Sequence, residues 1–465
     1  MAKVMSGQDL IDAGFRQGRW FGAALAEANR VLEAGGSEAD AMAAAGAFAP
    51  APTVPLRPRG ELPLHVNIEA DGEDERANVA AVVNSMTELL RTPVVRAGAI
   101  MPDACPAGPP GTIPVGGVVA STDIHPGMHS ADICCSMAIS VIPGATPAGL
   151  LDAVHAVTHF GPGGRPRGAQ IRPPADLMER FAAHPMLADG VSQAIEHFAT
   201  QGDGNHFAFV GTLRSTGETA LVTHHGSRGP GARLYTLGHK LADRHRRELS
   251  PETLPDNAWI PADSAEGEAY FAALQLIRGW TKASHFALHD MAAERLGAVV
   301  ADRFWNEHNF VFRKADGLFY HGKGATPAFA GFADDATDLT LVPLNMAEPV
   351  LIVRGRDAPH GLGFSPHGAG RNFSRSRHRR MQAGRPEAEI LAEETRGIDA
   401  RFFCGVPDIS ELPSAYKNAA AVRAQIERFG LAEVVDEVVP HGCIMAGDWE
   451  ANAPWRKRRA ARLSA

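Results

Sequence analysis

His367 lies in Ser365-Pro366-His367-Gly368-Ala369-Gly370-Arg371, and Arg375, Arg377, Arg379 and Arg380 follow it. A large ligand can approach an imidazole that sits beside glycines. The arginines supply the charge that phosphate groups need. Metal-ligand residue types are dispersed elsewhere: Asp132 with Cys135, Asn205-His206, His224, and His308-Asn309. A neutral imidazole can attack phosphorus, and nearby metal ions can neutralise the leaving phosphates. Together these residues point to metal-dependent phosphoryl or nucleotidyl transfer.

Asp132-Ile133-Cys134-Cys135 offers a hard oxygen and a soft thiolate three positions apart. Alone the pattern says little, because a buried cysteine is usually inert core. Each histidine, taken singly, is either a hydrogen-bonded structural residue or a ligand. Five such residues, most of them at the borders of apolar runs, argue jointly for a metal site. Mixed O, N and S ligation suits Mn²⁺, Fe²⁺ or Zn²⁺. A single thiolate can bridge two ions, so few ligands could hold a pair. Gly226-Ser227-Arg228-Gly229-Pro230-Gly231 is either an ordinary loop or a backbone cradle for an anion ahead of a helix. Lys323, in Gly322-Lys323-Gly324-Ala325-Thr326, is either a phosphate contact or a solvated loop lysine.

The elements that must position these residues alternate in type. Leu10, Ile11, Phe15, Trp20, Phe21, Leu25 and Leu32 recur at helical spacing, so one or two amphipathic helices are expected over 8–34, ended by Gly35-Gly36. A short helix over 38–48 runs into Pro50, Pro52 and Pro55, which read as a linker. Beyond it, short apolar runs predict strands at 94–100, 116–120, 137–142, 207–210, 220–223, 310–312 and 350–353. Helices are expected at 75–91, 177–184, 190–199, 232–249, 266–296, 386–394 and 417–429. The pattern is α+β. Many ligand-type residues fall just past strand ends or in Gly-rich turns, where rigid scaffolds present chemistry.

Composition narrows the class. The 465 residues carry 45% hydrophobic and 21% charged residues, which fits one large folded domain or two to three smaller ones. The net charge of −8 excludes a generally basic nucleic-acid coat, though a local basic groove can still steer a phosphate backbone. Five cysteines without a CxxC pair fit a reducing compartment, so a cytoplasmic protein is expected. There is no signal-peptide pattern and no apolar run of about 18 residues, so no membrane is expected as a partner. Trp455-Arg456-Lys457-Arg458-Arg459-Ala460-Ala461-Arg462 is basic, and reads as either a solvated terminus or an auxiliary phosphate contact.

In order and wording these motifs resemble the RtcB family of RNA-splicing ligases. The matching segments are Met101-Pro102-Asp103, Asp132-Ile133-Cys134-Cys135, Gly204-Asn205-His206-Phe207 and His224-His225-Gly226-Ser227-Arg228-Gly229. They continue with His308-Asn309, Lys323-Gly324-Ala325-Thr326, His367-Gly368-Ala369-Gly370-Arg371 with Ser374-Arg375, and Pro413-Ser414-Ala415-Tyr416-Lys417. The resemblance implies a single large α+β catalytic domain over 55–447, preceded by a helical segment over 1–54 and followed by a basic tail over 448–465. It implies joining of RNA 2′,3′-cyclic phosphate or 3′-phosphate ends to 5′-hydroxyl ends, with GTP and two Mn²⁺ ions. By motif, Asp132, Cys135 and His206 would hold one ion, and Cys135, His224 and His308 the other. His367 would carry the nucleotidyl group. Asn205, Asn309, Pro343, Met346, Gly368, Ala369 and Gly370 would contact the nucleotide. Asp103, Arg228, Lys323, Arg371 and Arg375 would contact RNA or phosphate. The chain departs from the family pattern at Cys105, Phe209, Gly322, Asn345, Val350 and Ala446. Phe209, Asn345, Val350 and Ala446 fall at nucleotide-contacting positions, so weak base selectivity is expected. The alternatives are a metal-dependent phosphodiesterase and an RNA-end-binding protein without nucleotide activation.

Overall fold

The computed structural model describes residues 4–49, 53–70, 72–333 and 335–451. Pro50, Pro52 and the basic cluster from Trp455 to Arg462 lie outside the described residues. Twelve helices occur among the described residues: α1 (Gly7–Asp12), α2 (Phe21–Glu33), α3 (Glu38–Gly46), α4 (Glu73–Leu89), α5 (Pro147–Val157), α6 (Ala175–Ala183), α7 (Val191–Glu196), α8 (Arg228–Leu249), α9 (Ala265–Arg295), α10 (Arg375–Met381), α11 (Glu387–Glu394) and α12 (Ala419–Arg428). The strands are β1 (Leu64–Val66), β2 (Val95–Cys105), β3 (Val115–Ser121), β4 (Ser136–Val141), β5 (Phe207–Leu213), β6 (Thr219–His225), β7 (Asp302–Glu307), β8 (Asn309–Arg313), β9 (Phe319–Lys323), β10 (Ala325–Pro327), β11 (Leu339–Val342), β12 (Val350–Gly355), β13 (Phe364–Pro366), β14 (Asp399–Phe402) and β15 (Ala432–Met445). The fold is α+β.

Contacts divide the chain into two units. The smaller comprises residues up to Pro55 together with Arg246–Glu252. Its core is Met5, Leu10, Phe21, Ala24, Ala28, Ala41 and Ala45. The Ser37 hydroxyl caps α3 by accepting from the Asp40 amide.

The larger unit contains three sheets. One has the order β1-β2-β3-β9-β8, a second pairs β10 with β13, and the third has the order β11-β12-β15-β5-β6-β4-β7 with β14 on β15. Only β1–β2 and β14–β15 are parallel among these pairings. The largest sheet is buried on both faces, and strand alternation sorts its residues. Met137, Ile139, Phe209, Val222, Cys443 and Met445 pack on one face. Ala208, Val210, Leu221 and Ile444 face α5 with Leu150, Leu151 and Val154. The long helix α9 starts at Ser264, whose hydroxyl accepts from the Gly267 amide. Its buried stripe includes Ile277, Trp280, Ser284, His285, Leu288 and His289, at helical spacing. This stripe bonds to the sheet: one Thr223 hydroxyl meets His285 Nδ1 and His289 Nε2, each at 2.7 Å.

Two expected boundaries move. The helix expected from residue 232 begins at Arg228, so Gly226–Gly231 is not a free loop: Pro230 falls in the first turn, where its missing N–H costs nothing. The helix expected over 190–199 is the shorter α7. Helices α5 and α10 and strands β1, β7, β9, β10, β11, β13, β14 and the long β15 come in addition to the expected elements.

Candidate metal centre and nucleophile site

The proposed ligands meet at one end of the largest sheet. His206 immediately precedes β5, His224 is the penultimate residue of β6, Cys135 immediately precedes β4 and His308 follows β7. These four strands are antiparallel neighbours, so the four positions share one sheet end. The amide of His308 donates to the Cys135 carbonyl at 2.9 Å, holding the two ligands side by side. Asp132 enters from the preceding loop. Gly226 permits this approach, because a Cβ there would overlap the Asp132 carboxylate.

The ligand atoms form two groups that share Cys135: Cys135, His224 and His308, and Asp132, Cys135 and His206. Within each group the atoms lie within 4.8 Å of one another. The Cys135 Sγ lies 3.1 Å from His224 Nε2 and 3.5 Å from His206 Nε2. His206 Nδ1 donates to the Gln201 carbonyl at 2.6 Å, and His224 Nδ1 donates to the Asn205 carbonyl at 3.1 Å. A carbonyl only accepts, so each Nδ1 carries a proton and each Nε2 is the atom turned toward the other ligand-type residues. Those Nε2 atoms converge. His224 Nε2 stands 3.2 Å from His308 Nε2, and His206 Nε2 stands 3.1 Å from Asp132 Oδ2. Nitrogen, oxygen and sulfur ligand atoms gathered this closely fit metal binding, with Cys135 shared between the two groups. Burial, reinforced by the neighbouring His206, pushes His224 down to about 3. Burial and the nearby His367 and His224 push His308 well below the ordinary imidazole range. Both rings therefore stay neutral, the form that ligates metal. Burial and the adjacent Asp132 raise the Cys135 thiol, so ligation would have to displace its proton.

His225 shows what alternation does to a neighbour. It points to the opposite face, where its ring stacks on His285 at 3.5 Å between centroids. It takes no part in either ligand group.

His367 follows β13 and faces the metal ligands, its ring centroid 4.9 Å from that of His308. Its Nδ1 donates to Asp103 Oδ2 at 2.6 Å, and the same carboxylate oxygen accepts the His367 amide at 3.2 Å. Asp103 is wholly buried within β2. Asp103, expected among the RNA or phosphate contacts, is instead bonded to the imidazole: a buried carboxylate in this position can orient the ring, and its charge would repel phosphate. A carboxylate inside an apolar strand needs a partner, and that was the signal available in the sequence. Gly370 makes the turn after His367 possible. Its φ is +69°, and a Cβ there would overlap the Asp103 carbonyl oxygen.

A cleft of about 870 Å³, counting its open mouth, extends from His367. Asn205, Pro343, Met346, Gly368, Ala369, Gly370 and Arg371 line it, as do Cys105, Phe209, Asn345 and Val350. Ala446 does not; it is buried against α5. Asn309, expected to contact the nucleotide, is not among the residues that line this cleft. Its amide donates to the Asp132 carbonyl at 3.3 Å and accepts the Gly324 amide at 2.7 Å, so it ties the metal loop to the β9–β10 turn. Arg371 and Arg375 flank the site, both paired with Glu411 at 2.5 Å. Glu411 is buried, also accepts from Tyr416 at 2.6 Å, and had not stood out in the sequence. Arg228 and Lys323 are anchored to backbone rather than presented as open phosphate contacts. Arg228 donates to the Gly161 and Gly163 carbonyls at 2.9 and 3.1 Å, and Lys323 to the Ile113 carbonyl at 3.1 Å. Burial lowers the Lys323 ammonium from its ordinary range.

The sheet-end cluster of possible metal ligands and the histidine–carboxylate pair define a site suited to metal-assisted transfer chemistry. Sequence comparison assigns the lineage: residues 176–446 match the family described as tRNA-splicing ligase RtcB, and the chain belongs to that family. A tRNA-splicing ligase RtcB of Aeropyrum pernix is 28% identical over 289 residues, covering 53% of this chain and 59% of its own length. An RNA-splicing ligase RtcB of Mycobacterium tuberculosis is 25% identical, covering 55% and 66%. The RNA-splicing ligase RtcB of Escherichia coli K12 is 25% identical over 395 residues, covering 77% and 90%. The chain thus spans less than two thirds of the first two of these relatives. Among the described residues no helix is long and apolar enough to cross a membrane. All five cysteines are free.

Proposed function

We propose that this chain is an RNA ligase that joins 3′-phosphate or 2′,3′-cyclic phosphate ends to 5′-hydroxyl ends through a nucleotidyl–His367 intermediate. The observation that carries the reading is the 2.6 Å contact of His367 Nδ1 with Asp103 Oδ2, which turns Nε2, the atom that would attack, toward the candidate metal ligands.

In this reading Nε2 attacks the α-phosphorus of a nucleoside triphosphate, a P–N bond forms, and pyrophosphate leaves. An oxygen of the RNA 3′-phosphate then attacks the same phosphorus, and His367 departs. The 5′-hydroxyl oxygen attacks the 3′-phosphate, its proton passes to solvent, and the nucleoside monophosphate leaves. A cyclic end must first be opened by water to the 3′-phosphate. Asp132, Cys135, His206, His224 and His308 would hold two divalent ions, with Mn²⁺ the family-implied metal, and the ions supply charge neutralisation at phosphate. Asp103 holds the ring and stabilises its cationic form after P–N bond formation. Arg371, on the cleft wall, would contact phosphate oxygens. The main domain of this activity would be residues 55–447, with the protein working in the cytoplasm on RNA.

The test is incubation with each α-labelled nucleoside triphosphate and Mn²⁺, followed by joining assays on RNA with defined ends. Acid-labile label on the wild type and none on His367→Ala, together with loss of joining, is the expected result. Joining by His367→Ala at near the wild-type rate would reject the covalent route. Cyclic-phosphate opening without label or joining would indicate a phosphodiesterase instead.

A further inference from the structure

The cleft beside His367 has an apolar floor, set by strand register. On the largest sheet Phe207 lies beside His224 of β6 and Met445 of β15. In the next row on that face, Phe209 lies beside Val222 and Cys443. Two residues along a strand span about 6.6 Å. The Phe209 row therefore lies about one sugar's length from the row that carries the metal-ligand His224. Met346 and Val350 add to the wall. Burial pushes the Cys443 thiol up to about 12, so that position is neutral as well.

Guanine differs from adenine by the N1–H and N2–H₂ donors on its Watson–Crick edge. A site that selects guanine must offer those donors an acceptor, most effectively a carboxylate. The carboxylate on the cleft wall is Glu411, and both of its oxygens are engaged: one by Arg371 and Tyr416, the other by Arg375. The Asn345 amide oxygen accepts the Ala347 amide at 3.0 Å. Phe209 is 1% exposed, so it backs this wall from beneath, and the wall around it offers ring faces, thioethers and methyl groups, which hold either purine by contact area.

We propose that this cleft holds its nucleobase against the apolar wall of Phe207, Phe209, Met346 and Met445, and takes guanine and adenine nucleotides with comparable affinity. The proposal rests on the nucleotide-transfer reading for the kind of ligand, but binding tests it separately from chemistry. The full chain, loaded with Mn²⁺, is titrated calorimetrically with the α,β-methylene analogues of GTP and ATP, which cannot be attacked productively at the α-phosphorus. Dissociation constants within about tenfold of each other are expected, whether or not His367 takes label from the natural nucleotides. A GTP preference beyond about a hundredfold, or binding of neither analogue, overturns the proposal. Binding of both without label supports it and removes the ligase mechanism. Phe209→Leu is expected to weaken both analogues by the same factor, and weakening of one alone overturns the assignment. Phe209→Glu supplies an acceptor and is expected to shift the ratio toward GTP by about tenfold or more. An unchanged ratio in a folded Glu variant means Phe209 is not at the base, and the Leu variant decides the matter if the Glu variant does not fold.

Discussion

The bond from His367 Nδ1 to the Asp103 carboxylate selects the tautomer of the ring. Asp103→Asn keeps the shape but removes the charge, and lets the amide present a donor to Nδ1. That arrangement favours the proton on Nε2, the wrong atom for attack. Label incorporation should fall by on the order of a hundredfold or more, with metal content unchanged. Loss of metal along with label would show that Asp103 acts by holding the fold rather than the tautomer. The shared thiolate makes a second residue-scale test. Cys135 belongs to both ligand groups, whereas Asp132 belongs to one. Elemental analysis should find both ions gone from Cys135→Ala and mainly one gone from Asp132→Ala. Full occupancy in Cys135→Ala would end the bridging role. The gathering of the five ligand-type residues was legible in the sequence because each is a chemically distinctive residue near the border of an apolar run. The Asp103–His367 pair was not, since its members lie 264 positions apart and only the packing of β2 against the β13 turn joins them.

At the scale of elements, the largest sheet separates chemistry on one face from support on the other. His224 and His225 are adjacent in sequence and serve opposite faces. Behind the sheet, the Thr223 hydroxyl donates to one imidazole of α9 and accepts from the other. Thr223→Val leaves both rings without that partner in a buried layer. A loss of about 2 kcal/mol or more in denaturant unfolding is expected, with both ions retained. A change within about 0.5 kcal/mol would mean the two rings find other partners. Gly370→Ala tests the turn that seats His367. The added Cβ meets the Asp103 carbonyl and φ is +69°, so label should be lost while metal binding persists. Strongly periodic elements such as α4, α9 and α12 were legible. Strand β15 was not, because Glu433, Asp436, Glu437 and Pro440 interrupt its apolar run. Its irregular register with β12 and β5 accommodates that pattern. Helix α10 carries mostly arginine and offers no apolar stripe; Ser374, capping the Arg377 amide, marks its start.

Across the larger unit, the metal ligands come from positions 132 to 308 and from four different strand borders. No short segment holds a complete ligand group, so the unfolded chain presents no preformed site. Metal binding at this sheet end would then couple directly to folding. A ligand that binds the folded chain alone stabilises it by about 2.7 kcal/mol at a free concentration a hundred times its dissociation constant. Chelation with EDTA should therefore lower the thermal midpoint, and adding Mn²⁺ back should restore it. The same treatment should leave Cys135→Ala nearly unchanged, because that variant has no ions to lose. His225→Ala is the matched control: it removes a buried imidazole one residue from His224, so it should lower the midpoint yet keep the full response to chelation. An EDTA response of equal size in Cys135→Ala would place the stabilising metal somewhere other than this sheet end.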